Sequence, residues 1–69
     1  MINYKPLLEF LIRNDKQLTD LNKELKIHPS VIAKLKKREY ISLEIIERIC
    51  LRYKIPIEQV VEIEFENDD

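Results

Sequence analysis

A chain of 69 residues makes one domain with little core to bury, and its single cysteine leaves no internal disulfide to staple it. Its composition excludes several function classes: without glycine there is no phosphate-cradling loop or dinucleotide fingerprint, and one His with one Cys cannot assemble a zinc cluster. The formal net charge of −1 hides an uneven distribution, because residues 1–59 carry all 12 basic and only 8 acidic side chains, whereas residues 60–69 carry five acids and no base.

No apolar run approaches the ~18 residues of a membrane span, and the chain does not open with a basic stretch followed by a long apolar one, so neither anchor nor signal peptide is expected. Cys50 falls on the apolar face of a predicted helix, where a free thiol behaves as a small hydrophobe. A reduced, cytoplasmic protein is the expectation.

In chain order, Ile2 and Tyr4 alternate with polar neighbours, which predicts a short strand at about 2–4. Pro6 opens a helix running to about Arg13, with Leu7, Leu8, Leu11 and Ile12 available to the core and Phe10 near its edge. Asn14-Asp15 ends it, because Asn tolerates the left-handed backbone of a helix C-cap. Gln17 or Thr19 starts a second helix, Gln17 being the preferred cap, in which Leu18, Leu21 and Leu25 share one face. Lys26-Ile27-His28-Pro29 cannot continue that helix. Pro29 instead opens a third, to about Lys37, with Val31, Ile32 and Leu35 on one face. His28 reads as a substitute N-cap or a phosphate neighbour.

Residues 38–41 form a loop that Ser42 closes as N-cap of a fourth helix, with Glu44 in its first turn. Leu43, Ile46, Ile49, Cys50 and Tyr53 make the apolar stripe of that helix; Glu44, Glu47, Arg48 and Lys54 make its solvated face. Pro56 punctuates again, and residues 57–60 form one short helical turn, giving five helices, four long and one short. The period then changes. Val61, Ile63 and Phe65 alternate with Glu62, Glu64 and Glu66, which predicts a half-buried strand at about 61–65. A lone strand leaves its backbone unpaired. Its partner is either the strand at 2–4 or the same strand of a second subunit, and the pairing within the chain is preferred. The domain therefore spans 1–66, with a disordered tail at 67–69.

Residues 17–38 organise this layout, since two short helices joined by a tight turn, the second cationic toward its end, form the unit that places a helix in the DNA major groove. Lys34, Lys36, Lys37 and Arg38 are the densest positive cluster. By themselves they are either a solvated helix end that complements the helix dipole or a phosphate-contacting patch; their place in the helix pair favours the patch.

From about residue 6 to 60 the chain resembles the phage-repressor and Cro type of helix-turn-helix domain, also called the XRE family. The resemblance rests on Leu21, Leu25-Lys26-Ile27, Ser30, Ile32-Ala33-Lys34-Leu35, Ile41-Ser42-Leu43-Glu44, Ile49-Cys50 and Ile55-Pro56-Ile57, and is best to short stand-alone members. It implies a mainly α, lambda-repressor-like domain of five helices, to which this chain adds short terminal β-strands. It also implies a sequence-specific transcriptional regulator that binds double-stranded DNA without a cofactor, with helix 29–37 in the major groove. Pro29, Ser30, Ala33 and Lys34 would then meet base edges, and Gln17, Lys36, Lys37, Arg38 and Tyr40 would hold phosphates. Ser30 can donate or accept, Lys34 can reach the guanine acceptors, and Pro29 offers only shape and apolar contact. Tyr40 equally fits a packing role. Two positions depart from the family: Lys26 stands where glycine is usual, and must take a positive φ or a different turn; Asn22 stands where a small residue is usual, and either splays the helix pair or points aside.

The competing reading is a protein-interaction module, antitoxin- or inhibitor-like, that keeps the helix-turn-helix scaffold and adds its acidic strand at 61–66 to a partner's sheet. A homodimer suits the first reading, with two recognition helices ~34 Å apart on a two-fold site. No Cys/His or Ser/His/Asp set has partners close enough to suggest an enzyme.

Overall fold

The computed structural model describes residues 1–65. Among these, strand β1 (Ile2–Asn3) leads into helices α1 (Lys5–Arg13), α2 (Thr19–Leu25), α3 (Pro29–Lys36) and α4 (Leu43–Tyr53). A 3-10 turn at Ile57–Gln59 and strand β2 (Glu62–Ile63) follow. The expected fifth helix is thus only a single 3-10 turn. Extended Pro56 starts it, and its bonds run three residues back, Gln59 N–H to the Pro56 carbonyl at 3.0 Å and Val60 N–H to that of Ile57 at 2.9 Å. The expected tail at 67–69 and the last residue of the expected domain lie outside the described residues.

Each helix start has a local cause. Pro6 sits in the first turn of α1, while the Asn3 side chain accepts the Lys5 N–H at 3.0 Å. Before α2, Leu18 is already helical and the Asp20 carboxylate accepts the Gln17 N–H at 2.8 Å, which is half a capping box. The N-cap position of α2 is thus Leu18, between the two residues expected to start the helix, and no side chain caps it; Gln17 contributes only its backbone N–H. Ser42 Oγ accepts the Ile45 N–H at 3.2 Å and so caps α4 as expected.

The helix ends are more unusual. With no glycine available, the chain follows its four helices with left-handed Asp15 (φ 55°), Lys26 (φ 58°), Arg38 (φ 59°) and Lys54 (φ 55°). Asn14 keeps a negative φ of −107° and bonds its side-chain amide to the Phe10 carbonyl, so the left-handed step after α1 falls one residue later than the sequence suggests.

Tyr4, Leu7, Leu11, Leu21, Leu25, Ile27, Ile32, Leu35, Ile46, Ile49 and Val60 form one core. On α1, Leu7 and Leu11 point inward, but Leu8 and Ile12 are 36% and 72% exposed; half-buried Phe10 takes the flank by packing on Tyr53, ring centroids 5.2 Å apart. The core stripe of α1 therefore lies on the Phe10 side of the Leu7–Leu11 line, a rotation that apolar spacing leaves open when residues at 7, 8, 11 and 12 are all apolar. Likewise Leu43 of the α4 stripe is 73% exposed.

β1 and β2 pair antiparallel within the chain, Ile2 opposite Ile63 and Asn3 opposite Glu62. Both are shorter than predicted; β1 stops at Asn3 because Tyr4 turns out of the strand to open α1. The half-buried strand face is also not realised: Ile63 is 54% and Phe65 90% exposed, and only Val61 packs on the core. Asn3 closes the junction. Fully buried, it donates from Nδ2 to Glu62 Oε2 (3.1 Å) and Glu64 Oε1 (2.8 Å) while Oδ1 caps α1. A buried amide needs all of these partners, since an unmade bond costs its desolvation outright.

Candidate nucleic-acid interface

Ile32 and Leu35 seat α3 on the core at 6% and 2% exposure. With a 3.6-residue period, that burial turns Pro29, Ser30, Lys34 and Lys37 outward, with Ala33 half-buried between them. The helix starts on His28, an extended N-cap whose Nδ1 accepts the Ser30 N–H at 3.0 Å and lies 2.8 Å from Ser30 Oγ. Of the two sequence readings of His28, the N-cap is the one the backbone shows.

Four features hold the angle between α2 and α3. Leu21 and Leu25 bury the inner face of α2. Asn22 neither splays the pair nor points aside: its Nδ2 donates to the Ile27 carbonyl at 2.9 Å and bridges helix to turn. Lys26 takes the left-handed conformation that the family usually gives to glycine. From α4, Arg48 donates to the Leu25 carbonyl, so it is an anchor for the end of α2 and not part of a solvated face.

The loop after α3 is held as well. The Glu39 N–H bonds the Lys34 carbonyl at 2.9 Å, and the Tyr4 hydroxyl donates to the Glu39 carbonyl at 2.6 Å. Burial pushes the Tyr4 pKa up, which keeps that hydroxyl a donor. Tyr40, next in the chain, leaves its ring 80% exposed and does not pack.

Two hollows flank α3 and divide the cationic cluster. Thr19, Asn22, Lys23, Pro29, Ile32, Ala33 and Lys36 line one, between α2 and α3. Met1, Ile2, Lys34, Arg38, Glu39 and Tyr40 line the other, beside β1. Lys36 thus keeps company with Lys23, and Lys34 with Arg38 and Tyr40; Lys37 is exposed at the end of α3, and Gln17 is exposed at the head of α2. None of Lys23, Lys34, Lys36, Lys37 or Arg38 is ion-paired with another described residue. Thr19 and Lys23 were missed in the sequence, although their separation of four places them on one face of α2.

This is a cationic helix presented by a rigid helix-turn-helix, and a family model of the Cro/C1-type helix-turn-helix DNA-binding domain matches residues 6–66. The chain belongs to that family. Among solved structures, the crystal structure of the transcriptional regulator VanUg (Form II) superposes with a TM-score of 0.88 at 28% identity, covering 94% of this chain and 87% of that one. No curated protein matches. The Cro/C1-type match begins after β1, so the supports supplied by Asn3 and Tyr4 lie outside the matched span. Among the described residues of this Cro/C1-type domain, no helix is long and apolar enough to cross a membrane.

Proposed function

We propose that the chain is a sequence-specific transcriptional regulator that seats α3 in the major groove of double-stranded DNA. The observation that carries this is the division of α3 into a face fixed on the core and an outward face of Pro29, Ser30, Ala33 and Lys34 running into Lys37. The likeness to a transcriptional regulator supports it. Ser30 and Lys34 are the base readers and Pro29 and Ala33 supply apolar contact, while Gln17, Lys36, Lys37, Arg38 and Tyr40 hold phosphates, joined by Lys23 across the α2–α3 hollow. No cofactor enters this reading. A two-fold dimer would set two such helices ~34 Å apart.

Fluorescence anisotropy with the duplex upstream of the protein's own coding region and with a scrambled duplex, repeated across salt, tests the proposal. With Lys23, Lys36, Lys37 and Arg38 each neutralising a phosphate, the slope of log affinity against log salt is about −3.6 per bound chain, with tighter binding to the native duplex. Absence of binding at low salt sinks it.

Exposure of Ile63 and Phe65 beside the open edge of β2 favours a second reading, in which residues 61–66 add to the sheet of a protein partner or of a second copy. Sedimentation of the wild type against Phe65→Ser separates these. A dimer lost in the variant assigns the edge to self-association, and a monomer in both leaves it to another protein.

A further inference from the structure

We propose that His28 is a positioning residue that sets the polarity of the Ser30 hydroxyl, so that Ser30 selects an amino base (adenine or cytosine) over a keto base (guanine or thymine) on the strand it contacts. The inference rests on the major-groove reading of α3 and follows from three atoms. Ser30 N–H can only donate, and it points at His28 Nδ1 from 3.0 Å, so Nδ1 must be an unprotonated acceptor. Ser30 Oγ lies 2.8 Å from the same Nδ1. Facing that nitrogen at this distance, the hydroxyl donates its one proton inward, sharing the single lone pair of Nδ1 with the Ser30 N–H in a bifurcated arrangement.

Two consequences follow. The imidazole proton sits on Nε2, at an exposed cap position where it is a donor for a phosphate oxygen. The Ser30 oxygen, its proton committed, offers the DNA only lone pairs. In the major groove adenine N6 and cytosine N4 are donors, whereas guanine O6 and thymine O4 are acceptors that would face those lone pairs unpaired. A serine with a free rotor accepts any base; one locked by its neighbour distinguishes amino from keto. The lock also removes the rotor's freedom before DNA arrives.

The chain has one histidine, so its nitrogen resonances need no assignment. Long-range 1H–15N NMR of the free protein with the imidazole neutral should show the Nε2–H tautomer, and the Nδ1–H tautomer would overturn the proposal without touching the DNA reading. Selection from a randomised duplex library should then show one position per recognition helix where amino bases are preferred over keto bases by roughly five-fold or more. Ser30→Ala and His28→Ala should each abolish that preference, whereas His28→Asn, whose side-chain oxygen also accepts at an N-cap, should keep it. Circular dichroism confirms the fold of each variant. Should His28→Ala not fold, Ser30→Ala and His28→Asn decide. Full preference in Ser30→Ala or His28→Ala, or its loss in folded His28→Asn, overturns the positioning role. A wild type that enriches no sequence overturns the DNA reading, and the tautomer still reports on the lock.

Discussion

Lys34 on α3 and Lys37 at its C-cap sit one turn apart, both exposed, and are asked to do different work. Lys34 faces outward in line with Ser30, where a guanine contact gives sequence discrimination; Lys37 ends the helix, where a phosphate contact gives affinity alone. Lys34→Ala should therefore cost about 1–3 kcal/mol on the preferred duplex and relax one base position, whereas Lys37→Ala should weaken all duplexes alike and make the salt slope shallower by about 1. Competition binding across single-base variants checks both. A second residue-scale prediction concerns the left-handed helix ends. Lys54 holds φ 55° with a Cβ that crowds the backbone, and its carboxyl-side neighbour Ile55 already bonds back to Cys50 at 3.1 Å. Lys54→Gly should stabilise the domain by about 1 kcal/mol in chemical denaturation, leaving DNA affinity unchanged. Of the four left-handed sites, Lys26 was legible in advance through its resemblance to a glycine position and the one after α1 to within a residue, whereas Arg38 and Lys54 carried no signal. With no glycine in the chain, the usual mark of such a turn is missing.

At the level of elements, β1 is only two residues long yet fixes three things: the pairing with β2, the cap of α1 and, through the adjoining Tyr4, the loop after α3. Asn3 is the residue on which the first two depend. Asn3→Ala should destabilise the protein by about 1–3 kcal/mol, because it removes a buried amide with partners on both sides. Asn3→Asp should be worse, since it buries a carboxylate against those of Glu62 and Glu64. Equal stability of the two variants in urea titration would show that the amide is not holding the glutamates. The pairing of the two terminal strands within the chain was expected from their alternation, but the role of Asn3 in it was not readable, because Glu62 and Glu64 lie about 60 positions away. By contrast the α3 start, the α4 cap and the buried faces of α2 and α3 were readable, because Pro29, Ser42 and the three- and four-residue apolar steps act over a single turn.

Across the whole molecule, a polar cluster ties α2 to α4 and to the segment before α2. Glu24 of α2 accepts from Lys16 at 2.6 Å and from the Tyr53 hydroxyl at 3.2 Å, with Arg52 at 3.6 Å. The Lys16 bond holds the Glu24 carboxyl below its usual pKa, and burial first, then Glu24, pushes Tyr53 up to about 12. A depressed carboxylate stabilises the folded state above its unfolded pKa and loses that contribution as pH falls through the folded value. The stability difference between wild type and Glu24→Gln should thus be constant near neutrality and shrink below about pH 4.3, as thermal unfolding across pH would show.

Local rules were enough for the helix pair, the basic helix facing outward and the family, because caps, proline stops and apolar periodicity act within one or two turns. Long-range packing decided the rest: which of Leu7, Leu8, Leu11 and Ile12 enter the core, why Arg48 anchors α2, how Lys36 and Lys34 part into separate hollows, and that the strand at the C-terminal end leaves Ile63 and Phe65 exposed. An apolar residue carries the same signal on either side of a stripe. Only the surfaces that meet in the folded chain select the side that is buried.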